Sequence, residues 1–343
     1  MKITEVETAA EAREFMTTPT PELVEHVAEL DGNFIVLGAG GKMGPDLIET
    51  LMRALRQSGR NARVAAASRF SDPGVRNRLE DRGAELHSGD LRNPSFLNEL
   101  PHCRNVIFMP GMKFGSSTDW TETFHQNSIL PYLVGERYAA SHIVVFSSGN
   151  PYPHTPVEAG GSTEEDELEP QGIYGWTVVA RECSFRVTAE RNDAQASCLY
   201  RLFYSQHFFY GVLVDLARMV RNGEPISLEM PAVNLISQRD AIDVALKSLD
   251  YCANPPSVLN VAGEGVWVRR IAEQLGHIMG REPRLVGPEP DEALLGNDER
   301  CRHRFGDYRD TPEDMIEAVG RWVQCEKETW DKPTLFGRID HRY

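Results

Sequence analysis

The sequence predicts an α/β protein built around a doubly wound parallel sheet. Short continuous apolar segments, typical of strands buried on both faces, recur along the first two thirds of the chain, at residues 33–37, 63–68, 105–109, 142–146 and 196–203. Polar or amphipathic segments of helical length separate them, and that alternation favours parallel strands joined by helical crossovers. The 343 residues, of which 41% are apolar, suffice for one large core together with a smaller lobe.

A glycine-rich turn follows the first strand and opens an amphipathic helix. Gly38 permits the tight turn, Gly41 lets the backbone approach a pyrophosphate closely, and Gly44 lets helix and strand pack. The start of the helix adds unpaired N–H groups and a positive dipole end. The pattern therefore predicts a nicotinamide dinucleotide on a Rossmann-type domain, the alternative being a turn that only packs. The predicted phosphate-binding residues are Gly38, Gly40, Gly41, Lys42, Met43 and Gly44.

The end of the second strand bears on the choice between NAD and NADP. NAD sites favour an acidic residue there, which accepts a hydrogen bond from the ribose 2′-hydroxyl. This chain instead has Ser68 followed by Arg69, and an arginine can bind a 2′-phosphate with two parallel hydrogen bonds. We expect NADP, with NAD as the second choice. The competing interpretation of Arg69 is a solvated surface side chain.

The chain divides into three predicted parts. Residues 1–30 form an N-terminal helical extension, residues 31–205 the NAD(P)-binding Rossmann domain, and residues 206–343 a smaller, mostly C-terminal α/β substrate lobe. Helices are predicted at 20–30, 212–220, 268–279 and 312–323, and a strand near 258–262 is expected to return to the main sheet. An aromatic cluster at residues 204–210 either lines a substrate pocket or packs this lobe.

Charge and composition exclude several classes of partner. The formal net charge of −15 argues against nucleic acid and anionic membranes, because phosphates would be repelled. No apolar stretch approaches the 18 residues of a spanning helix, and the acidic N-terminus does not resemble a leader peptide. Six scattered cysteines indicate reduced thiols in a cytoplasmic protein, and their spacing predicts no metal site.

Several later motifs resemble one family. They are Gly89–Asn93, Phe108–Gly115, Asn127, Ser147–Tyr152 and Tyr174-Gly175. In this order and spacing they resemble the extended short-chain dehydrogenase/reductases, which are NAD(P)-dependent sugar epimerases and dehydratases. The segments around Asp90 and Lys113 are most similar to those of UDP-galactose 4-epimerases. The resemblance extends from about residue 33 to residue 205.

The resemblance implies a role for each matching position. Asp90 would bond the adenine amino group, Leu91 would pack on the adenine ring, and Lys113 would lie beside the cofactor. Asn127 would support the active site, Ser148 would hydrogen-bond the substrate oxygen, and Tyr174 would be the general acid/base. The resemblance also implies a homodimer.

The chain departs from the family at one position. A tyrosine acts as a base only if its pKa is lowered from about 10, and in the family a lysine four residues later lowers it. Here Val178 occupies that position. Two cations could replace the lysine: Lys113, which we prefer, at the carboxyl edge of the sheet, or Arg181, two turns along the tyrosine's helical face. The alternative role of Lys113 is a contact to a cofactor phosphate only, and that of Arg181 is a salt bridge on the helix surface.

Together these features predict an NAD(P)-dependent oxidoreductase or epimerase. It would act by hydride transfer on a secondary alcohol of a sugar or sugar-acid derivative, a small carbohydrate-like molecule. One alternative is a dinucleotide-binding sensor or scaffold without redox turnover, which Val178 favours. Another is a dehydratase or isomerase that uses the cofactor only transiently.

Overall fold

The computed structural model describes residues 1–332 and 334–337. Its strands are β1 (Phe34–Leu37), β2 (Val64–Ser68), β3 (Glu85–Ser88), β4 (Asn105–Phe108), β5 (His142–Ser148), β6 (Thr155–Pro156), β7 (Ala196–Leu202), β8 (Ser205–Gln206), β9 (Pro225–Ser227), β10 (Ala232–Ser237), β11 (Ser257–Val261), β12 (Glu264–Trp267), β13 (Arg284–Val286) and β14 (Glu292–Ala293). Its α-helices are α1 (Ala9–Met16), α2 (Pro21–Glu29), α3 (Gly44–Ser58), α4 (Pro73–Arg82), α5 (Pro94–Glu99), α6 (Trp120–Phe124), α7 (Leu130–Arg137), α8 (Gly172–Arg191), α9 (Val212–Asn222), α10 (Gln238–Lys247), α11 (Val268–Met279), α12 (Glu299–Phe305) and α13 (Pro312–Gln324). A π-helical turn, His125–Ile129, joins α6 to α7.

The central sheet has seven strands, paired in the order β3-β2-β1-β4-β5-β7-β11. Every pairing in it is parallel. The order reverses between β1 and β4, and ligands of open parallel sheets bind in the crevice outside the carboxyl ends of the strands at such a reversal. The predicted Rossmann-type α/β fold is confirmed.

Side chains of β1 alternate between two cores, one on each face of the sheet. Phe34 and Val36 pack against α2, α3 and α10, whereas Ile35 and Leu37 pack against α7 and α8. Because all four residues of β1 are buried, the strand is a continuous apolar run in the sequence. β3 is a partly exposed edge strand with only one apolar residue, and its sequence therefore gave no comparable signal.

A third core lies in the C-terminal part of the chain, where α9, α11 and α13 pack together. The return strand β11 leaves this region and pairs with β7 at the edge of the main sheet. The N-terminal extension contains two α-helices, α1 and α2, whereas the sequence indicated one. Phe15 of α1 packs into the C-terminal core, whereas α2 packs on α3 of the sheet domain.

Part of the predicted lobe 206–343, namely Pro333 and residues 338–343, lies outside the described residues. No helix in the part of the chain that the structure describes is long and apolar enough to cross a bilayer.

Candidate active site and cofactor cleft

Two cavities adjoin at the carboxyl edge of the sheet. The larger is a cleft of about 330 Å³ between the glycine turn, the end of β2 and the segment after β4. The smaller is a pocket of about 200 Å³ between the segment after β4, the end of β5, the start of α8 and the C-terminal lobe. They meet along residues 111–113, because Gly111 and Met112 line the cleft and Lys113 lines the pocket.

The glycine turn forms one wall of the cleft through Gly38, Gly40 and Gly41. Gly38 has a left-handed φ of +80°, and a Cβ there would stand 2.9 Å from the backbone nitrogen of Pro110. A Cβ on Gly44 would stand 2.4 Å from the carbonyl oxygen of Ala39. The turn and the start of α3 therefore need glycine at both positions, for conformation at Gly38 and for close packing at Gly44.

The other three predicted phosphate-binding residues, Lys42, Met43 and Gly44, are not among the residues that line the cleft. The backbone N–H groups of Lys42 and Met43, however, donate no hydrogen bond to any described residue, and no side chain caps α3. The Lys42 ammonium lies over two aromatic rings, 3.7 Å from the centroid of Tyr210 and 4.9 Å from that of Phe114. Burial, with repulsion from Lys332, lowers the pKa of Lys42 to about 8.

The turn after β2 forms the far end of the cleft, which Ser68, Arg69, Phe70 and Ser71 line. Phe70 has a left-handed φ of +45°, which is strained for a residue with a bulky side chain and is often found at functional sites. Arg69 is exposed, and the first carboxylate after it, Asp72, is occupied as the cap of α4 by accepting from the Gly74 N–H.

Asp90 and Leu91 line the same end of the cleft. Sequence reasoning did not identify Arg92, whose guanidinium Nε donates to both carboxylate oxygens of Asp90, at 2.9 and 3.1 Å. The backbone N–H of Arg92 adds a bond of 3.0 Å, and these contacts hold the pKa of Asp90 down at about 2. Arg92 also pairs with Glu122, another residue of the cleft wall. Asp90 is thus ionised and oriented at neutral pH.

The smaller pocket brings together three of the four predicted catalytic residues. Lys113, Ser148 and Tyr174 all line it. The Ser148 hydroxyl donates to Oδ1 of Asn150 at 3.0 Å and accepts from the Asn150 N–H at 3.2 Å. The Lys113 ammonium lies 5.7 Å from the centroid of the Tyr174 ring. Burial, with repulsion from Lys42, lowers the pKa of Lys113 to about 8.

The fourth predicted catalytic residue, Asn127, lies behind the pocket. It is fully buried in the π-helical turn, and its side chain accepts from the N–H of Met112 at 2.8 Å and donates to the carbonyl of Met112 at 2.9 Å. It also donates to Thr177 Oγ1 at 3.0 Å and accepts from Arg181 at 2.7 Å. Val178, at the position of the family's lysine, is fully buried. Asn127 therefore fixes the backbone immediately before Lys113.

The aromatic cluster at 204–210 serves the pocket only through Tyr204, which lines it. Phe208 and Phe209 instead pack against Trp322 in the C-terminal core. His207 is buried, with its Nε2 3.4 Å from the carboxylate of Asp46.

Phe203 and Leu294 line the pocket without having been identified from the sequence. Leu294 directly follows the short strand β14 of the C-terminal lobe. Its sequence neighbourhood carries no motif that could have identified it.

No protein-family profile and no curated protein sequence matches the chain. Among solved structures, MoeE5 in complex with UDP-glucose and NAD is 21% identical, with a TM-score of 0.66 over 86% of this chain and 99% of that one. A UDP-galactose 4-epimerase is 20% identical, with a TM-score of 0.68 over 86% and 99% of the two chains. A UDP-glucuronic acid 4-epimerase from Bacillus cereus, in complex with UDP-glucuronic acid and NAD, is 16% identical, with a TM-score of 0.68 over 86% and 99%. The chain shares the Rossmann-type fold of these proteins, two of which are 4-epimerases of UDP-sugars.

Proposed function

We propose that the chain is an NAD(P)-dependent enzyme of the extended short-chain dehydrogenase/reductase type. It oxidises, reduces or epimerises a secondary alcohol of a sugar or sugar-acid derivative. The observation that carries this proposal is the pocket of about 200 Å³ in which Lys113, Ser148 and Tyr174 converge. That pocket adjoins a glycine-walled cleft at the reversal point of the sheet, where dinucleotides bind in this fold.

The residues of the cleft fit a dinucleotide. A Cβ on Gly41 would meet only the Gly38 carbonyl oxygen, at 3.4 Å. The backbone at Gly41 is therefore open to a diphosphate, next to the N–H groups of Lys42 and Met43, which donate to no described residue. Asp90, ionised and held by Arg92, supplies acceptors for an adenine amino group, and Leu91 supplies an apolar face.

NADP is the preferred cofactor in this proposal. The 2′-phosphate would lie against Ser68, Arg69 and Ser71, which line the far end of the cleft. None of these three residues carries a carboxylate. The Asp90 carboxylate lies within electrostatic range of Arg69 but is paired with Arg92, and the Arg69 guanidinium can bind a phosphate through two N–H groups. The solved neighbours named above hold NAD, and NAD therefore remains the second choice.

The bound nicotinamide would supply a hydride acceptor or donor. The chain's own residues must hold the substrate carbinol and move its proton. Ser148, oriented by Asn150, would hydrogen-bond the reacting oxygen, and Tyr174 would exchange the proton with it. Lys113 would supply positive charge beside the Tyr174 ring. It would thereby replace the family's lysine, whose position Val178 occupies in this chain.

The experiment is incubation of the purified protein with NADP or NAD and a panel of sugars, sugar acids and nucleotide sugars. Net formation of reduced coenzyme would identify a dehydrogenase. A changed sugar without net reduction would identify an epimerase or a dehydratase that uses the coenzyme transiently. Coenzyme binding without turnover of any sugar would contradict an enzymatic role and favour a sensor, the alternative that Val178 supports.

A further inference from the structure

Arg181 carries a buried positive charge that the proposed chemistry does not use. Its side chain lies on α8 and the residue is 4% exposed. One guanidinium nitrogen donates to the Phe146 carbonyl at 2.8 Å and another to Oδ1 of Asn127 at 2.7 Å, while Nε has no hydrogen-bond partner among the residues that the structure describes. No carboxylate of residues 1–332 or 334–337 lies within 4.0 Å of it. A buried charge without a carboxylate in direct contact is costly to retain, which points to a functional reason.

Gly111 makes room for this guanidinium. Its φ does not lie in the left-handed region, and its turn would therefore accept other residues. A Cβ at this position, however, would stand 2.4 Å from a terminal nitrogen of Arg181. Gly111 also lines the cofactor cleft. The charge of Arg181 thus lies directly behind the backbone that forms the cleft wall.

Arg181 also reinforces the orientation of Asn127. The Asn127 oxygen accepts from both Arg181 and the Met112 N–H, and the Asn127 amide group donates to the Met112 carbonyl. If the amide flipped, its NH₂ group would face the guanidinium and the Met112 N–H, two donors it cannot bond. Arg181 therefore reinforces the orientation in which Asn127 bonds both backbone groups of Met112, the residue before Lys113.

We propose that Arg181 is a positioning residue for the cofactor cleft and for Lys113, acting from one helical turn beyond the position where Val178 replaces the family's lysine. This inference rests on the proposed function. Side chains on a helix lean toward its N-terminus, so a long side chain at 181 extends back toward the turn that contains residue 178. Tyr174 and Glu182 lie within electrostatic range of the guanidinium. An arginine remains charged at every working pH, whereas Lys113 has a pKa of about 8.

The first test compares Arg181→Met and Arg181→Lys with Arg186→Met, a matched control on the same helix. NAD affinity is measured by calorimetry between pH 6.5 and 9.5, alongside melting temperature. Arg181→Met should bind NAD at least tenfold more weakly and shift the midpoint of the pH dependence by more than half a unit, because the segment that carries Lys113 is released, whereas Lys42, whose pKa is also about 8, lies on the glycine turn and titrates alike in both proteins. Arg181→Lys should recover part of the lost NAD affinity and should shift the pH midpoint less. Arg186→Met should match the unmodified protein in both.

A purely structural role for Arg181 would lower the melting temperature but leave the affinity and pH midpoint of the folded fraction unchanged, and that result would overturn the proposal. If the unmodified protein binds neither coenzyme, the proposed function fails and this inference falls with it. If the unmodified protein binds and Arg181→Met binds equally well, only the inference fails.

A second measurement applies if Arg181→Met does not fold. Gly111→Ala should lower the melting temperature of the unmodified protein, because the new methyl group displaces a guanidinium held by two acceptors. The same change in an Arg181→Lys background, whose side chain keeps the charge but has no guanidinium nitrogen at that point, should cost less, so that the two effects are non-additive. Equal costs in both backgrounds would contradict the packing on which the inference depends.

Discussion

Gly41→Ala should separate cofactor binding from stability. In the protein alone a methyl group here meets only the Gly38 oxygen at 3.4 Å, an ordinary contact, and φ is not left-handed. We therefore expect an unchanged or slightly higher free energy of unfolding, since alanine also restricts the unfolded chain. The methyl group would nevertheless stand between a diphosphate and the N–H groups of Lys42 and Met43. Losing one charge-assisted hydrogen bond costs about 1.5–3 kcal/mol, or roughly 10- to 150-fold in affinity.

The assay is a calorimetric titration with NADP and NAD, paired with denaturant unfolding. The matched control is Gly44→Ala, whose methyl group would lie 2.4 Å from the Ala39 oxygen and 2.8 Å from its carbonyl carbon. Because those atoms belong to the backbone, the control should lose stability, by about 1–3 kcal/mol. Gly41→Ala protein that binds both coenzymes as tightly as the unmodified protein would refute the assignment of the glycine turn to the diphosphate.

Three further predictions concern selectivity, pH and assembly. Arg69→Ala should weaken NADP by roughly 10- to 150-fold and leave NAD unchanged, because only NADP has a 2′-phosphate; equal losses for both would contradict the NADP assignment. NAD affinity should be constant below about pH 8 and fall above it, with proton uptake on binding, because Lys42 and Lys113 both have a pKa of about 8 in the free protein and the anionic cofactor beside them raises it. Calorimetry in buffers of different ionisation enthalpy measures this uptake, and an affinity that rises with pH would contradict the prediction. Trp176, Cys183 and Val187 form an exposed stripe along α8, with Trp176 58% exposed; Trp176→Glu should convert a homodimer to monomers in sedimentation, and an unmodified protein that sediments as a monomer would contradict the dimer.

The central sheet could be predicted from the sequence because its strands are buried on both faces. β1, β4 and β5 are each preceded and followed by polar or helical segments, so a short apolar run marks each strand. β3 and α1 were missed for the opposite reason. β3 lies at the sheet edge and is largely polar, and α1 has three buried residues among its eight.

Residues of the candidate site that belong to a sequence motif were easier to predict than residues that only position another side chain. Gly38, Gly41, Ser148 and Tyr174 sit at fixed points of strand–turn–helix units, and their positions therefore follow from the fold. Arg92 could be missed because its importance depends on Asp90 and Glu122, which are 2 and 30 residues away in the chain. Hydrogen bonds between distant elements leave no periodic signal in the sequence.

Arg181 illustrates the same limit. Its spacing from Tyr174 predicted that Arg181 lies on the tyrosine's helical face. Two roles were open for it: a replacement for the missing lysine, or a salt bridge on the helix surface. The second of these is wrong, because the side chain is buried and bonds Phe146 and Asn127. Neither partner could be identified by spacing, since they lie 35 and 54 residues away.

The central claim is that the cleft between the glycine turn and the segment after β4 holds a nicotinamide dinucleotide. The most direct measurement is isothermal titration of the purified protein with NADP and with NAD, after any co-purified nucleotide has been removed. We expect saturable binding of one coenzyme per chain, tighter for NADP. If neither coenzyme gave measurable heat or a saturable titration, the assignment of the cleft to a nicotinamide dinucleotide would be contradicted.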